Sequence, residues 1–283
     1  MKFELHCHST HSRGKKIPFE GTVNPKAIIK HAKSIGLSGI ALTDHNNSNG
    51  WKEAKEEAKK QDILFIPGIE ISSLGGTEFH TKGHMIGLGL NENIEKGLGV
   101  KETVDRIHEQ GGIAIAPHPF DLKNTGLKEE MKKTDAVEIF NSLSIDKISN
   151  FIAERKADKF GLSKVASSDA HTLDMIGNSV IKSGATDMDS LLKEIKNGYV
   201  GIEKRYATLK NIIDWSWERI IKSQAHILEY VTDNYWTPKK EITEMFLDKF
   251  VNNPEHGFWK FAASIGLANA YVYSAFKNMR WML

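Results

Sequence analysis

Short apolar runs rich in Ile, Val and Leu recur through roughly the first 200 residues, each followed by a segment of helical periodicity. The runs predict strands over Lys2–His6, Gly39–Thr43, Ile63–Ile69, His84–Leu90, Ile113–Pro117, Ala136–Phe140 and Ser163–Ser167. Helices are predicted over Asn24–Ile35, Gly50–Lys60, Lys101–Gln110, Ile145–Phe160 and Met188–Asn197. Asn24 as N-cap, Pro25 at the first helical position and Gly36 just past the end bound the first of these. Their polar outer faces fit helices packed outside a parallel sheet. Seven strands in β/α alternation predict an α/β barrel.

One connection breaks the alternation. Only thirteen residues separate Glu70 from His84, and Ser72-Ser73 and Gly75-Gly76-Thr77 leave no room for a helix among them. A hairpin-like excursion is predicted there, so that the strand starting at His84 runs against its neighbours and begins at the rim where Glu70 ends.

After about Glu203 the pattern changes: the β signal disappears, and five of the six tryptophans, at 215, 217, 236, 259 and 281, fall in this tail. Residues 1–202 read as the barrel and 203–283 as a helical extension. Its predicted helices are Ala207–Val231, Lys239–Val251 and His256–Met279, with Pro238 and Pro254 at starts. The last is apolar from Gly257 to Phe276, close to the ~20 residues a membrane span needs. Lys260 and Asn269 within it favour packing on the barrel or on a second subunit, which makes a homo-oligomer through the tail an expectation.

Composition narrows the function classes. With charged residues at 26% and a net charge of +2, the chain advertises neither nucleic acid nor an anionic membrane through a global field. A single cysteine excludes an internal disulfide framework, and the N-terminus enters a strand without a signal-peptide pattern. Both fit a cytoplasmic protein.

The candidate chemistry lies at strand ends. His6 and His8, two apart on a strand, project to one face while Cys7 points away. Asp44-His45, Glu70 with His84, His118, and Asp169 with His171 each adjoin a later apolar run, and barrels gather such positions at one rim. A lone histidine or Asp-His pair is ordinary turn and cap chemistry; the conjunction points to metal. His31, His108 and His226 fall inside predicted helices and His256 in the tail, away from this set.

The strings Leu5-His6-Cys7-His8-Ser9, Leu42-Thr43-Asp44-His45-Asn46, Pro67-Gly68-Ile69-Glu70-Ile71-Ser72, Gly83-His84-Met85, Ala116-Pro117-His118-Pro119 and Ser168-Asp169-Ala170-His171 resemble, in order and spacing, the successive motifs of the polymerase and histidinol phosphatase (PHP) superfamily. The resemblance covers about residues 1–200. It implies a distorted (β/α)7 barrel with two or three divalent ions (Zn, Mn or Fe) and phosphoester hydrolysis by attack of a metal-bound hydroxide. It implies His6, His8, Glu70 and Asp169 at one ion, Glu70, His84 and His118 at a second, and His45 and His171 at a third. Asp44 is expected to act catalytically by orienting a ligand, and Asn141 to contact substrate or a metal-bound water.

The sequence departs from that family where many members read His-x-His-Ser-x-x-Ser-Asp-Gly, because here the string ends Ser12-Arg13-Gly14. A cation cannot ligate a metal, so either the third position is empty or weakened, or His11 supplies a ligand. Arg13 is expected to bind and act on substrate phosphate through its fork, or else to belong with Lys15 and Lys16 to a solvated basic loop. The expected substrate is a phosphorylated small metabolite or nucleotide, selected by loops Arg13–Glu20 and Leu122–Leu127 and by the tail. A histidinol-phosphate phosphatase and a nuclease are the neighbouring readings, with nucleic acid disfavoured by the scattered cations. A metal-holding but non-catalytic scaffold is the reading from another class.

Overall fold

The computed structural model of the chain describes residues 1–14, 17–74, 82–123 and 125–282. Its strands β1 (Lys2–Glu4), β2 (Gly39–Leu42), β3 (Leu64–Leu74), β4 (Lys82–Leu88), β5 (Ile113–Ala116), β6 (Ala136–Asn141), β7 (Ser163–Ser167), β8 (Val180–Lys182) and β9 (Gly201–Glu203) form one sheet. Their order is β7-β6-β5-β4-β3-β2-β1-β8-β9. Neighbours from β1 to β3 and from β5 to β7 are parallel, whereas β4 runs against both β3 and β5. Beyond β7 the chain crosses back to β1, where His8 N donates to Ala170 O at 2.8 Å and Ala170 N to His6 O at 3.2 Å. These bonds bring the two ends of the seven-strand run together as a nearly closed barrel.

The excursion predicted between Glu70 and His84 is a β3–β4 hairpin in which Ser72 pairs with His84 and Glu70 with Ile86. The turn residues Gly75, Gly76 and Thr77 lie outside the described residues. Pairing with β4 carries β3 to Leu74, past Ile69, the end expected from hydropathy. Strands β8 and β9, of three residues each, were not expected; they are too short to show a period.

Five helices flank the barrel: α1 (Pro25–Ser34), α2 (Trp51–Gln61), α3 (Val100–Glu109), α4 (Ile148–Phe160) and α5 (Met188–Lys196). The Asn24 side chain accepts from Ala27 N at 2.9 Å and Pro25 opens α1, as the sequence indicates. Helix α4 starts at 148 instead of 145 because the Asp146 carboxylate accepts from Ser149 N at 2.8 Å and holds the preceding residues in a turn. Phe3, Ile66, Ile86, Ile115 and Val165 meet in a core that Leu191 and Ile195 of α5 complete. Burial of such side chains stabilises by roughly 1.5–3 kcal/mol each.

The tail holds α6 (Leu209–Lys222), α7 (Gln224–Asn234), α8 (Thr237–Asn252) and α9 (Gly257–Met282). The helix expected over Ala207–Val231 is broken at Ser223, which is 1% exposed and whose Oγ accepts from Phe19 N at 3.5 Å. Pro238 sits in the first turn of α8, but Pro254 lies in the α8–α9 turn. The end of α9 is fixed to the barrel: Lys277 Nζ donates to the carbonyls of Asp121 and Leu122, both at 2.7 Å, and Trp281 packs edge-on against Phe120. Among the described residues no helix is long and apolar enough to cross a membrane.

Candidate metal centre

The strand ends deliver six imidazoles and two carboxylates to one spot. Glu70, on β3 and 1% exposed, lies at its middle. Its Oε1 is 2.8 Å from His84 Nδ1 and 3.0 Å from His118 Nε2; its Oε2 is 2.9 Å from His45 Nδ1 and 3.3 Å from His8 Nε2. Asp169 Oδ1 stands 3.4 Å from His6 Nε2 and 3.3 Å from His8 Nε2, and those two nitrogens are 3.0 Å apart. Four groups have ligand atoms within 4.8 Å of one another: His6–His8–Glu70, His6–His118–Asp169, His8–Asp169–His171 and His45–Glu70–His84. His84 thus groups with His45 and also shares Glu70 Oε1 with His118, while His171 groups with His8 and Asp169.

Backbone and buried neighbours aim these side chains. His118 (φ 28°) and Asp169 (φ 52°) both adopt left-handed conformations, a strain that persists where surrounding structure holds it. Glu138 of β6 accepts from His118 N at 2.8 Å and sits 3.2 Å from His6 Nδ1, and Ser167 Oγ donates to it. With Nδ1 held by a carboxylate, the Nε2 of His6 faces the centre. Ser12 Oγ plays the same part at His8 Nδ1, 3.0 Å away, and His171 Nδ1 donates to Asp169 O at 2.8 Å.

Charge is unbalanced around the two acids. Burial pushes both carboxyls up, yet Glu70, facing His84, His45 and His6, and Asp169, facing His6 and His8, are held well below the usual range. Against burial, His45 is raised to about 10 by Glu70 and Glu20, and His118 to about 9 by Glu70. His171, buried and beside His8, is pushed down to about 3. The cluster draws positive charge that a cation would supply. A divalent ion also fits the donors: His118 Nδ1 is buried without a hydrogen-bond partner among the described residues, while His84 Nδ1 and Glu20 Oε2 are ligand atoms packed against other ligand atoms, 2.8 Å from Glu70 Oε1 and 3.0 Å from His45 Nε2. Imidazole and carboxylate suit Zn, Mn or Fe, and Cys7 packs away in the core with Leu42 and Ala170.

Four expected residues make other contacts than those foreseen. Asp44 gives both oxygens to Ser9, accepting from its N and its Oγ at 2.6 Å each, so it braces the turn after His8 and touches no candidate ligand. Asn141 is fully engaged, its Nδ2 donating to Glu138 at 2.9 Å and to Asp169 at 3.1 Å while its Oδ1 accepts from Leu143 N. It positions Asp169 and has no donor left for substrate. His11 enters none of the clustered groups and is not on the cavity wall. Arg13 reaches the wall at the mouth, its guanidinium 4.5 Å over the Phe19 ring; Lys15 and Lys16 lie outside the described residues.

Near the place where position 13 offers no carboxylate stands that of Glu20. Its Oε2 is 3.0 Å from His45 Nε2, and despite burial its carboxyl is lowered to about 2 by His45, with His171 and His8 adding to the effect. Gly21 permits this placement, since a Cβ there would lie 2.1 Å from Ser9 O. The available signal was the pair Glu20-Gly21 just before the Asn24-Pro25 helix start; Glu138, an acid inside the apolar run Val137–Phe140, was another. Helix α6 adds Trp215, whose ring is 4.4 Å from that of His171 and whose Nε1 donates to Glu20 O at 2.7 Å, and Arg219. With these residues it roofs a cavity of about 680 Å³ over the cluster, walled also by Leu122, Lys123 and Thr125.

A nearly closed α/β barrel with a histidine-carboxylate centre at one rim is the class this chain represents. A family model described as the PHP domain matches residues 4–252, and the chain belongs to that family. An uncharacterized protein of Methanocaldococcus jannaschii is 41% identical over 165 residues, 56% of this chain and 92% of that one. A 5'-3' exoribonuclease of Haemophilus influenzae is 30% identical over 40% of this chain and 38% of its own length. A 3',5'-nucleoside bisphosphate phosphatase of Chromobacterium violaceum is 34% identical over 31% of this chain and 27% of its own. The chain thus spans well under half of either enzyme. In fold it is similar to a two-domain protein of Bacteroides vulgatus named for a predicted PHP-like metal-dependent phosphoesterase, with TM-score 0.58, 18% identity, and coverage of 72% of this chain and 65% of that one.

Proposed function

We propose that the chain is a metal-dependent phosphoesterase that hydrolyses a phosphomonoester or phosphodiester of a small metabolite or nucleotide. The observation that carries the reading is Glu70, whose Oε1 faces the imidazoles of His84 and His118 and whose Oε2 faces those of His6, His8 and His45, an arrangement suited to bridging a pair of cations. His6, His8, Glu70 and Asp169 would hold one ion, Glu70, His84 and His118 a second, and His45, His171 and Glu20 a third. Such ions supply Lewis acidity toward phosphoryl oxygen and an activated water. The protein's own groups do the rest: Glu138 and Ser12 fix His6 and His8, Asn141 fixes Asp169, and Asp44 fixes the turn after His8. Arg13 binds substrate at the mouth.

The cavity volume falls among small-ligand sites, and α6 lies across it, which favours a metabolite or nucleotide over a long strand. The two named enzymes related over short segments act on nucleotides or RNA, in keeping with a phosphate ester. Residues 1–202 would form the barrel and 203–283 an extension whose first helix completes the site.

Hydrolysis of phosphomonoesters, phosphodiesters and short oligonucleotides with Mn, Zn or Fe restored tests the proposal. Turnover of one class by the wild type and its loss in Glu70→Gln is the expected result. Metal uptake with no turnover of any class would leave a metal-binding scaffold instead.

A further inference from the structure

We propose that Arg219, carried into the cavity by helix α6, is the residue that grips the phosphate group of the substrate. The inference rests on the phosphoesterase reading and names a contact for it. Among the described residues four Lys and Arg side chains reach the cavity wall: Arg13, Lys96, Lys123 and Arg219. The first three are exposed at the rim, whereas the side chain of Arg219 is only 17% exposed.

Its fork is held but not satisfied. The guanidinium carbon lies 4.7 Å over the ring of Trp215, one helical turn earlier, a cation–π contact that fixes its plane. Trp215, 6% exposed, is in turn fixed by His171 and by the carbonyl of Glu20. The charged partner closest to the fork is Glu20 Oε1, 3.6 Å from Nη2, beyond hydrogen-bond reach. Nε is buried without a partner, and the terminal amino groups make no hydrogen bond among the described residues. A guanidinium carries five donors and stays charged even when desolvated, so the buried Nε left without a partner costs stability unless an anion completes it. The place is right for a phosphate ester: Glu20, beside Arg219, also touches His45 of the metal centre. A phosphoryl group at the centre would put its remaining oxygens within the fork's field, where bidentate binding is strongest.

Titration calorimetry of inorganic phosphate into the full-length, manganese-loaded protein tests this, with metal content measured in each sample. Wild type is expected to bind; Arg219→Gln to bind about 10-fold or more weakly, the scale of a lost charged hydrogen bond, at unchanged metal content; and Arg219→Lys to regain part of the loss. That pattern upholds the inference even if no ester in the panel is turned over. Equal affinity in wild type and Arg219→Gln would overturn it while leaving the phosphoesterase reading standing. Loss of metal from Arg219→Gln would overturn it as well, assigning the residue to holding Glu20. Absence of phosphate binding by wild type would also overturn it.

Discussion

At the scale of single residues, the centre separates groups that can touch an ion from groups that aim them. Glu20 is proposed for the first: its Oε2 faces His45 Nε2 at 3.0 Å. Glu20→Gln should therefore lower the bound metal by about one equivalent at limiting concentration, read by elemental analysis, while His11→Ala leaves it unchanged. The reverse result would restore His11 as the ligand. Glu138 belongs with the second. Glu138→Gln keeps the shape but weakens the acceptor that orients His6, and losses of this kind run ~10–100-fold in metal affinity. A variant with wild-type affinity would show that Glu138 serves only the fold. Most of the centre was legible in the sequence, because His6, His8, His45, Glu70, His84, His118, Asp169 and His171 each follow or adjoin a strand. Glu20 was hidden by a longer loop, and Asp44 misled because an Asp-His pair does not show which member points inward.

At the scale of elements, Asp135 shows how the outer layer is fastened to the sheet. It precedes β6 and its carboxylate accepts from Ala114 N of β5 at 2.8 Å, meets His108 of α3 at 2.7 Å and pairs with Lys196 of α5 at 2.8 Å. Asp135→Ala leaves a buried strand amide without its acceptor and should cost about 1–3 kcal/mol in denaturant unfolding, with the slope m unchanged. Burial pushes the carboxyl up, but Lys196, the Ala114 amide and His108 hold it below its ordinary value. A lowered folded pKa gives stability that is complete above the unfolded value of about 3.9 and fades as pH falls through the folded one. The gap between wild type and Asp135→Asn should thus be widest near neutrality and narrow below about pH 4; a gap that widens in acid would refute the assignment. The strands of the barrel were legible from hydropathy. Lost to it were β8 and β9, whose three residues carry no period, and the break at Ser223, whose buried hydroxyl faces Phe19 N from 204 positions away.

At the scale of the whole molecule, the metal centre and the helical tail are joined through a few contacts around Glu20. The candidate ligands come from β3 and β4 and from the segments after β1, β2, β5 and β7, so an ion bound by all of them ties the barrel's rim shut only in the folded state. Such an ion stabilises by RT ln(1 + [M]/Kd), about 2.7 kcal/mol at a hundredfold excess over Kd, and chelation should remove that amount. The rim is linked to α6 by Trp215 Nε1 to Glu20 O at 2.7 Å, by Lys222 Nζ to Thr22 O at 3.0 Å and by the Trp215–His171 ring contact. Five of the six tryptophans lie in the tail, so tryptophan fluorescence reports chiefly on the extension, whereas far-ultraviolet dichroism reports on the entire fold. If α6 is a working part of the centre, metal must raise both melting transitions together, and Glu70→Gln must flatten the response of both. A fluorescence transition that ignores metal while the dichroism transition rises would mean that the tail melts independently of the site, and the roof over the cavity would lose its functional meaning.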